Sequence, residues 1–204
     1  MGSSSPDRYL PNGLVIGAGS ETGLKVDVDT PAYGFRDITG EIVTRGVGAT
    51  DPAWTQIGSG PFYAYSFAIN DVCWIVFHIP HDYKKGTPVF IHTHWLPDGT
   101  DTAIVKWKYD YTYARGHNQQ AFDATGQSVN SEQAPPGVAY QHMVTETASI
   151  SIPHMEPDGI LYVKMTRLTN GAVDNADEIL VLTLDVHYQS TNMATKNRSP
   201  DFYG

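Results

Sequence analysis

Four of the eight histidines, His78, His81, His92 and His94, fall within one stretch of seventeen residues. Imidazole serves as metal ligand, proton carrier or hydrogen-bond bridge near neutral pH. His92 and His94 are two apart, so on a strand both rings leave one face, a spacing that strand-borne metal sites use. Histidines that alternate with Ile91, Thr93 and Trp95 equally suit a plainer task, bridging a sheet or lining a subunit seam. The plainer task is the expected one, with no catalytic residue, no resident metal and no cofactor. A seam of neutral imidazoles would make assembly sensitive to mild acid.

The run Gly86-Thr87-Pro88-Val89-Phe90-Ile91-His92-Thr93-His94 resembles the opening of the cupin motif, a glycine and five residues before His-x-His. The rest of that motif does not follow. Asp98 and Gly99 occupy the two places where the motif needs a glutamate. Its second half finds only Pro135-Pro136-Gly137 and a misplaced His142, which precedes Met143 rather than asparagine. A cupin-type metal-dependent enzyme would have to use His92, His94, Asp98 and His142.

Other chemical signatures are missing. The chain has no Gly-x-Ser-x-Gly elbow, phosphate loop, His-Glu-x-x-His or Cys-x-x-Cys. Gly17-Ala18-Gly19-Ser20-Glu21-Thr22-Gly23 resembles a dinucleotide loop, yet no helix pattern follows to present its N-terminus to phosphate, and a flexible joint is expected. Asp27 with Asp29, and Asp174 with Asp177 and Glu178, fall in turn-rich sequence and are expected to face solvent; the second group could bind calcium weakly. The lone Cys73 lies in Val72-Cys73-Trp74-Ile75-Val76-Phe77, where it reads as a small buried hydrophobe.

The elements that position these residues are strands. The chain has 204 residues, 41% of them hydrophobic, enough for one domain with its own core. Its 19 glycines and 13 prolines favour turns over long helices. Short apolar segments recur at 38–47, 62–69, 73–79, 88–96, 102–115, 144–152, 161–168 and 179–189, separated by turn signals such as Pro97-Asp98-Gly99, Pro157-Asp158-Gly159 and Asn170-Gly171. Val105 to Tyr113 alternates strictly, with Trp107, Tyr109, Tyr111 and Tyr113 on one side; this stripe is expected in the core, with an interface or sugar stacking as alternatives. In the 179–188 segment, Leu180, Leu182, Leu184, Val186 and Tyr188 form the expected apolar face.

The expected fold is therefore all-β, an antiparallel β-sandwich of jelly-roll type with extended N- and C-terminal arms. Residues 1–23 read as the first arm, 24–189 as the sandwich and 190–204 as the second arm. Residues 116–139 read as a long loop with a short helix near Glu132. A net charge of −9 disfavours a nucleic-acid partner. No membrane-length apolar run and no signal peptide are seen, so folding in a reducing cytoplasm without membrane insertion is expected.

Four runs, Pro31 to Gly40, Phe77 to Tyr83, Ile91 to Trp95 and Leu184 to Gln189, resemble a group of tailed-bacteriophage virion structural proteins. The resemblance implies a non-enzymatic particle protein, a capsid decoration (cement) protein on the outer capsid surface or a collar or tail-adaptor protein at the neck. It implies as partner the major capsid protein or other virion proteins, and structural histidines, with His78 and His81 near His92 and His94. Open sandwich edges and aromatic side chains lead us to expect a homo-dimer or homo-trimer. The expected partner-binding residues are Tyr9, Leu10, Leu14 and Ile16 in the first arm, Phe122 in the long loop, and Phe202 and Tyr203 in the second arm. A carbohydrate-binding β-sandwich is the third function class these features allow.

Overall fold

The computed structural model describes residues 8–9, 14–16, 24–26, 34–44, 51–171 and 173–191, the first three groups as backbone only. Among the described residues there is no helix. The chain divides into two units, Met1–Tyr33 and Gly34–Gly204. In the first, β1 (Arg8–Tyr9), β2 (Leu14–Ile16) and β3 (Leu24–Val26) form a small antiparallel sheet in the order β1-β2-β3.

The second unit contains β4 (Gly34–Gly40), β5 (Ala53–Gln56), β6 (Tyr63–Phe67), β7 (Val72–His78), β8 (Val89–Pro97), β9 (Val105–Arg115), β10 (Gln127–Gln133), β11 (Met143–Glu146), β12 (Gly159–Leu168) and β13 (Ile179–Ser190). Two antiparallel sheets result. One has the order β10-β9-β12-β7; the other has β11-β8-β13-β6-β5, with β4 continuing the β6 side of β13. If β6 to β13 are counted one to eight, the sheets read 2-7-4-5 and 1-8-3-6. This is the nested pairing of a jelly roll, so the expected fold is the observed one.

Alternation explains which residues meet between the sheets. Ile91, Thr93 and Trp95 of β8 point inward, as do Trp107 and Tyr109 of β9, and all are fully buried. The Phe67 and Trp107 rings meet edge to face at 5.7 Å, and the Thr93 and Tyr109 hydroxyls share a 2.6 Å hydrogen bond across the core. The tyrosine stripe is thus mostly core, although Tyr111 is only half-buried. Cys73 is fully buried, and burial pushes its thiol far above the usual range, so it behaves as the expected apolar group.

Buried polar clamps hold the sandwich. Arg167, 4% exposed, donates through Nη1 to the Phe67 carbonyl at 2.5 Å and through Nη2 to that of Asn175 at 3.0 Å. Elsewhere, Asp82 accepts hydrogen bonds from Tyr188 Oη at 2.8 Å and Ser190 Oγ at 2.6 Å and pairs with Arg36 Nη1 at 2.9 Å. Each satisfies a charge that burial would otherwise penalise.

Three local expectations are corrected. Residues near Glu132 form β10, not a helix, and so the 116–139 segment is not all loop; β10 pairs with β9 from Gln127 opposite Tyr111 to Gln133 opposite Val105. The strand expected over 144–152 is short, ending at Glu146, with Ile150 making one isolated bridge to Val89. Leu182 leaves the apolar face of β13. Its register with β8 shifts between Val181, opposite Trp95, and Thr183, opposite His94. Leu182 is the extra residue of a β-bulge and is 42% exposed, while Ile179 and Val181 before it and Leu184, Val186 and Tyr188 after it all reach the core.

Thr183 resumes the pairing directly after Val181, so the extra residue carries little of the fold. Leu182→Ala is expected to change unfolding free energy by no more than about 0.5 kcal/mol. Deleting Leu182 would leave Val181 and Thr183 as consecutive residues opposite Trp95 and His94, with every later side chain on its present face, and is expected to preserve cooperative unfolding, which thermal melts of the two variants would compare.

Candidate functional site

The outer face of the larger sheet carries a connected set of histidines and carboxylates. On β8, with alternate residues in the core, Phe90, His92 and His94 face out. The bulge on β13 then places Asp185 opposite His92 and His187 opposite Phe90, on the same outer face. β4 adds Asp37 opposite His187, and β11 adds Glu146 opposite His92.

Contacts run through this set without a gap. His92 Nε2 lies 2.6 Å from Glu146 Oε2, and His92 Nδ1 lies 3.2 Å from Asp185 Oδ1. His94 Nε2 lies 2.6 Å from Asp185 Oδ2, and His94 Nδ1 lies 2.9 Å from His142 Nε2. The His92 and His187 rings meet edge to face at 4.8 Å, and His187 Nδ1 stands 3.2 Å from Asp37 Oδ1. Asp185 is 5% exposed; burial pushes its carboxyl above the usual carboxylate range, against the opposing pull of His92 and His94. Two overlapping groups could hold a metal, His92 with His94 and Asp185, and Asp37 with His92 and His187.

The expected histidine set is split. His92 and His94 do share a face, and His142 stacks on His94 at 5.1 Å. Asp98 is not with them; its Oδ1 accepts from the Glu178 amide at 2.8 Å, closing a turn. The carboxylate that completes the group, Asp185, lies 91 residues beyond His94 and has no signal in a linear motif. Correcting the implied proximity, His78 and His81 belong to a second cluster, with His117, around Asp158. His78 Nε2 and His81 Nε2 lie 3.3 and 3.1 Å from Asp158 Oδ1, and His117 Nε2 lies 2.8 Å from Oδ2. The carboxylates offered for calcium serve turns instead: Asp174 accepts from the Asn170 amide at 2.5 Å, and Asp177 from the Asp101 amide at 2.9 Å.

Of the expected partner-binding residues, Phe122 is 49% exposed. Tyr9, Leu14 and Ile16 are described as backbone only, and Leu10, Phe202 and Tyr203 lie outside the described residues. Sequence reading missed an aromatic cluster at the other edge of the larger sheet. Trp54 on β5 is 61% exposed, stacks on Tyr63 of β6 at 6.1 Å and meets Tyr65 edge to face at 4.7 Å; Phe62 beside them is 71% exposed. Among the described residues β5 ends this sheet, so the aromatics accompany a row of unpaired backbone groups. Trp54 follows Asp51-Pro52-Ala53 and lies in a four-residue strand, Ala53-Trp54-Thr55-Gln56, too short for its alternation to mark it. Elsewhere, a cleft of about 200 Å³ opens beside Tyr111, Tyr113, Asp123, Gln127 and His154.

No protein-family model and no curated protein matches the chain. Among solved structures it is similar to the carbohydrate-binding module CBM36 in complex with calcium and xylotriose, at 16% identity and TM-score 0.37, over 76% of this chain and 99% of that one. It is also similar to the receptor-binding domain of spike protein P1 from bacteriophage PM2, at 12% identity and TM-score 0.29, over 77% and 99% of the two chains. A Paenibacillus cycloisomaltooligosaccharide glucanotransferase complexed with cycloisomaltoheptaose follows at 13% identity and TM-score 0.33, over 74% of this chain and 18% of that one.

The Asp158 cluster gives a pH prediction. Burial works against this carboxylate, but the His117 hydrogen bond and the charges of His81 and His78 outweigh it and hold the carboxyl below the usual range. A depressed carboxyl stabilises the fold above its unfolded value of 3.8, and that stability is lost as pH falls through the folded value. Asp158 has φ +59°, which asparagine tolerates, so Asp158→Asn isolates the charge. The variant is expected to lose about 1 kcal/mol at pH 7, a melting shift of about 2–4 °C. Melts repeated toward pH 3 should show that difference shrinking.

Proposed function

We propose that the chain is a non-enzymatic structural protein of a tailed-bacteriophage virion, a capsid decoration protein on the outer surface that bridges neighbouring major capsid subunits. The observation that carries this reading is the exposed aromatic edge formed by Trp54, Phe62 and Tyr63 beside the open backbone of β5. Large aromatics anchor protein interfaces because they bury much area at little entropic cost, and an open strand edge supplies directional hydrogen bonds to a partner. Of the four runs that resemble virion proteins, residues 34–40, 77–83, 91–95 and 184–189 lie along β4, β7, β8 and β13 and the segment after β7, in the sandwich that presents this edge.

Cementing in this reading is energetic. Each bound copy stabilises the shell by mass action, and many copies on a lattice add avidity from modest individual contacts. The first arm, around Tyr9 to Ile16, would add wrapping contacts to those of the edge. The histidines have a structural part, setting the outer face of the larger sheet and the Asp158 corner.

Imaging of purified particles tests the proposal directly, with density for the sandwich expected between major capsid subunits; density at the neck would favour a collar or tail adaptor. In reconstitution with particles lacking the protein, the double variant Trp54→Ser and Phe62→Ser is expected to reduce occupancy by about tenfold or more with its melting temperature unchanged. Removal of residues 1–20 is expected to weaken retention further. Full occupancy by both variants would overturn the edge-and-arm clamp.

A further inference from the structure

We propose that His92, His94 and Asp185 form a binding site for one zinc-class divalent ion on the outer face of the larger sheet. This site does not depend on the assembly role above. One ligand atom from each residue lies within 4.8 Å of the other two. Around a tetrahedral ion with bonds of about 2.0–2.1 Å, neighbouring ligand atoms stand about 3.3 Å apart. His92 Nδ1 to Asp185 Oδ1 measures 3.2 Å and His94 Nε2 to Asp185 Oδ2 measures 2.6 Å, so small rotations bring the donors to an ion. Two imidazoles with one carboxylate suit zinc, cobalt or nickel and disfavour calcium and magnesium, which take oxygen ligands.

Protonation and supporting contacts point the same way. Asp185 is 5% exposed, and its Oδ1 has no hydrogen-bond partner although it is aimed into the group. His92 stands between two carboxylates, Glu146 at Nε2 and Asp185 at Nδ1. A neutral imidazole carries one N–H and can donate to only one of them. With Nε2–H donated to Glu146, the Nδ1 lone pair faces Asp185, and a cation between the two relieves the repulsion. A ligating histidine that gives its other N–H to a carboxylate is a recurrent support of zinc sites. His94 is held in the same way: His142 engages Nδ1 at 2.9 Å and leaves Nε2 for the ion. The strands fix this arrangement, since His92 and Asp185 are direct cross-strand neighbours.

Calorimetric titration of the chelator-treated full chain with zinc, and visible spectroscopy after cobalt addition, test the site. One equivalent is expected to bind at micromolar or tighter affinity, with a cobalt spectrum showing nitrogen ligation. His94→Ala and Asp185→Asn should each weaken binding by more than tenfold, and Glu146→Gln, which acts through His92, by about tenfold. His154→Ala and His187→Ala should leave binding intact. Far-UV circular dichroism checks that each variant is folded; if Asp185→Asn is not, His94→Ala and His92→Gln carry the test. Absence of saturable zinc binding, or binding unaffected by folded His94→Ala, overturns the proposal. Binding lost in His187→Ala but kept in His94→Ala would overturn it in favour of the Asp37 group.

Discussion

One bulge reconciles the sequence alternation of β13 with both faces of the larger sheet. β13 is paired along one side with β8 and along the other with β6 and then β4, so its register fixes what three neighbours present. Before Leu182 the core-facing positions are odd-numbered; after it they are even-numbered. The shift converts Asp185 and His187 from would-be core residues into members of an outer polar network, and keeps Leu184, Val186 and Tyr188 inside. Energy decides the arrangement, because burying a charged carboxylate among apolar side chains costs several kcal/mol while exposing one leucine costs about 1–2 kcal/mol.

The same opposition between burial and charge recurs at smaller scale. Carboxylates that leave water are met by several polar groups each: Asp82 by Tyr188, Ser190 and Arg36, Asp158 by three histidines, Asp185 by two. The outcomes differ with the depth of burial. Asp158, better solvated, is held as a carboxylate by its partners, whereas at Asp185 desolvation outweighs them. A chain with an acidic surplus thus uses histidines as local counter-groups.

Much of the sandwich was legible because its central strands alternate. Val105 to Tyr113 revealed β9 and its buried face, and the turn signals at 97–99 and 157–159 bounded real strands. β10 was hidden because an edge strand buries few side chains; Gln127 to Gln133 has only Val129 as an apolar residue, and its polarity imitates a loop. Leu182 was misread because a period of two carries through a bulge unaltered in sequence and is broken only by pairing with β8. His92 and His94 could be singled out from spacing, but their carboxylate partners could not. Asp185 and Glu146 reach them through cross-strand register, which no local window contains.

The nested strand order has a consequence for the newborn chain. The smaller sheet can close once β12 has been made, since β10, β9, β12 and β7 are then all present. The larger sheet cannot, because β8, β6 and β4 share no partner until β13 arrives, the last of the described strands in synthesis. Until then the strands that carry Ile91, Trp95 and Phe67 are not joined into one sheet, and the pairings that finally join them link residues as far apart as Gly34 and Ser190. Such long-range closure is slow and leaves apolar surface open while it waits. The half-made sandwich is therefore the state most open to association with other chains, and it lasts from the completion of one sheet to the completion of the other.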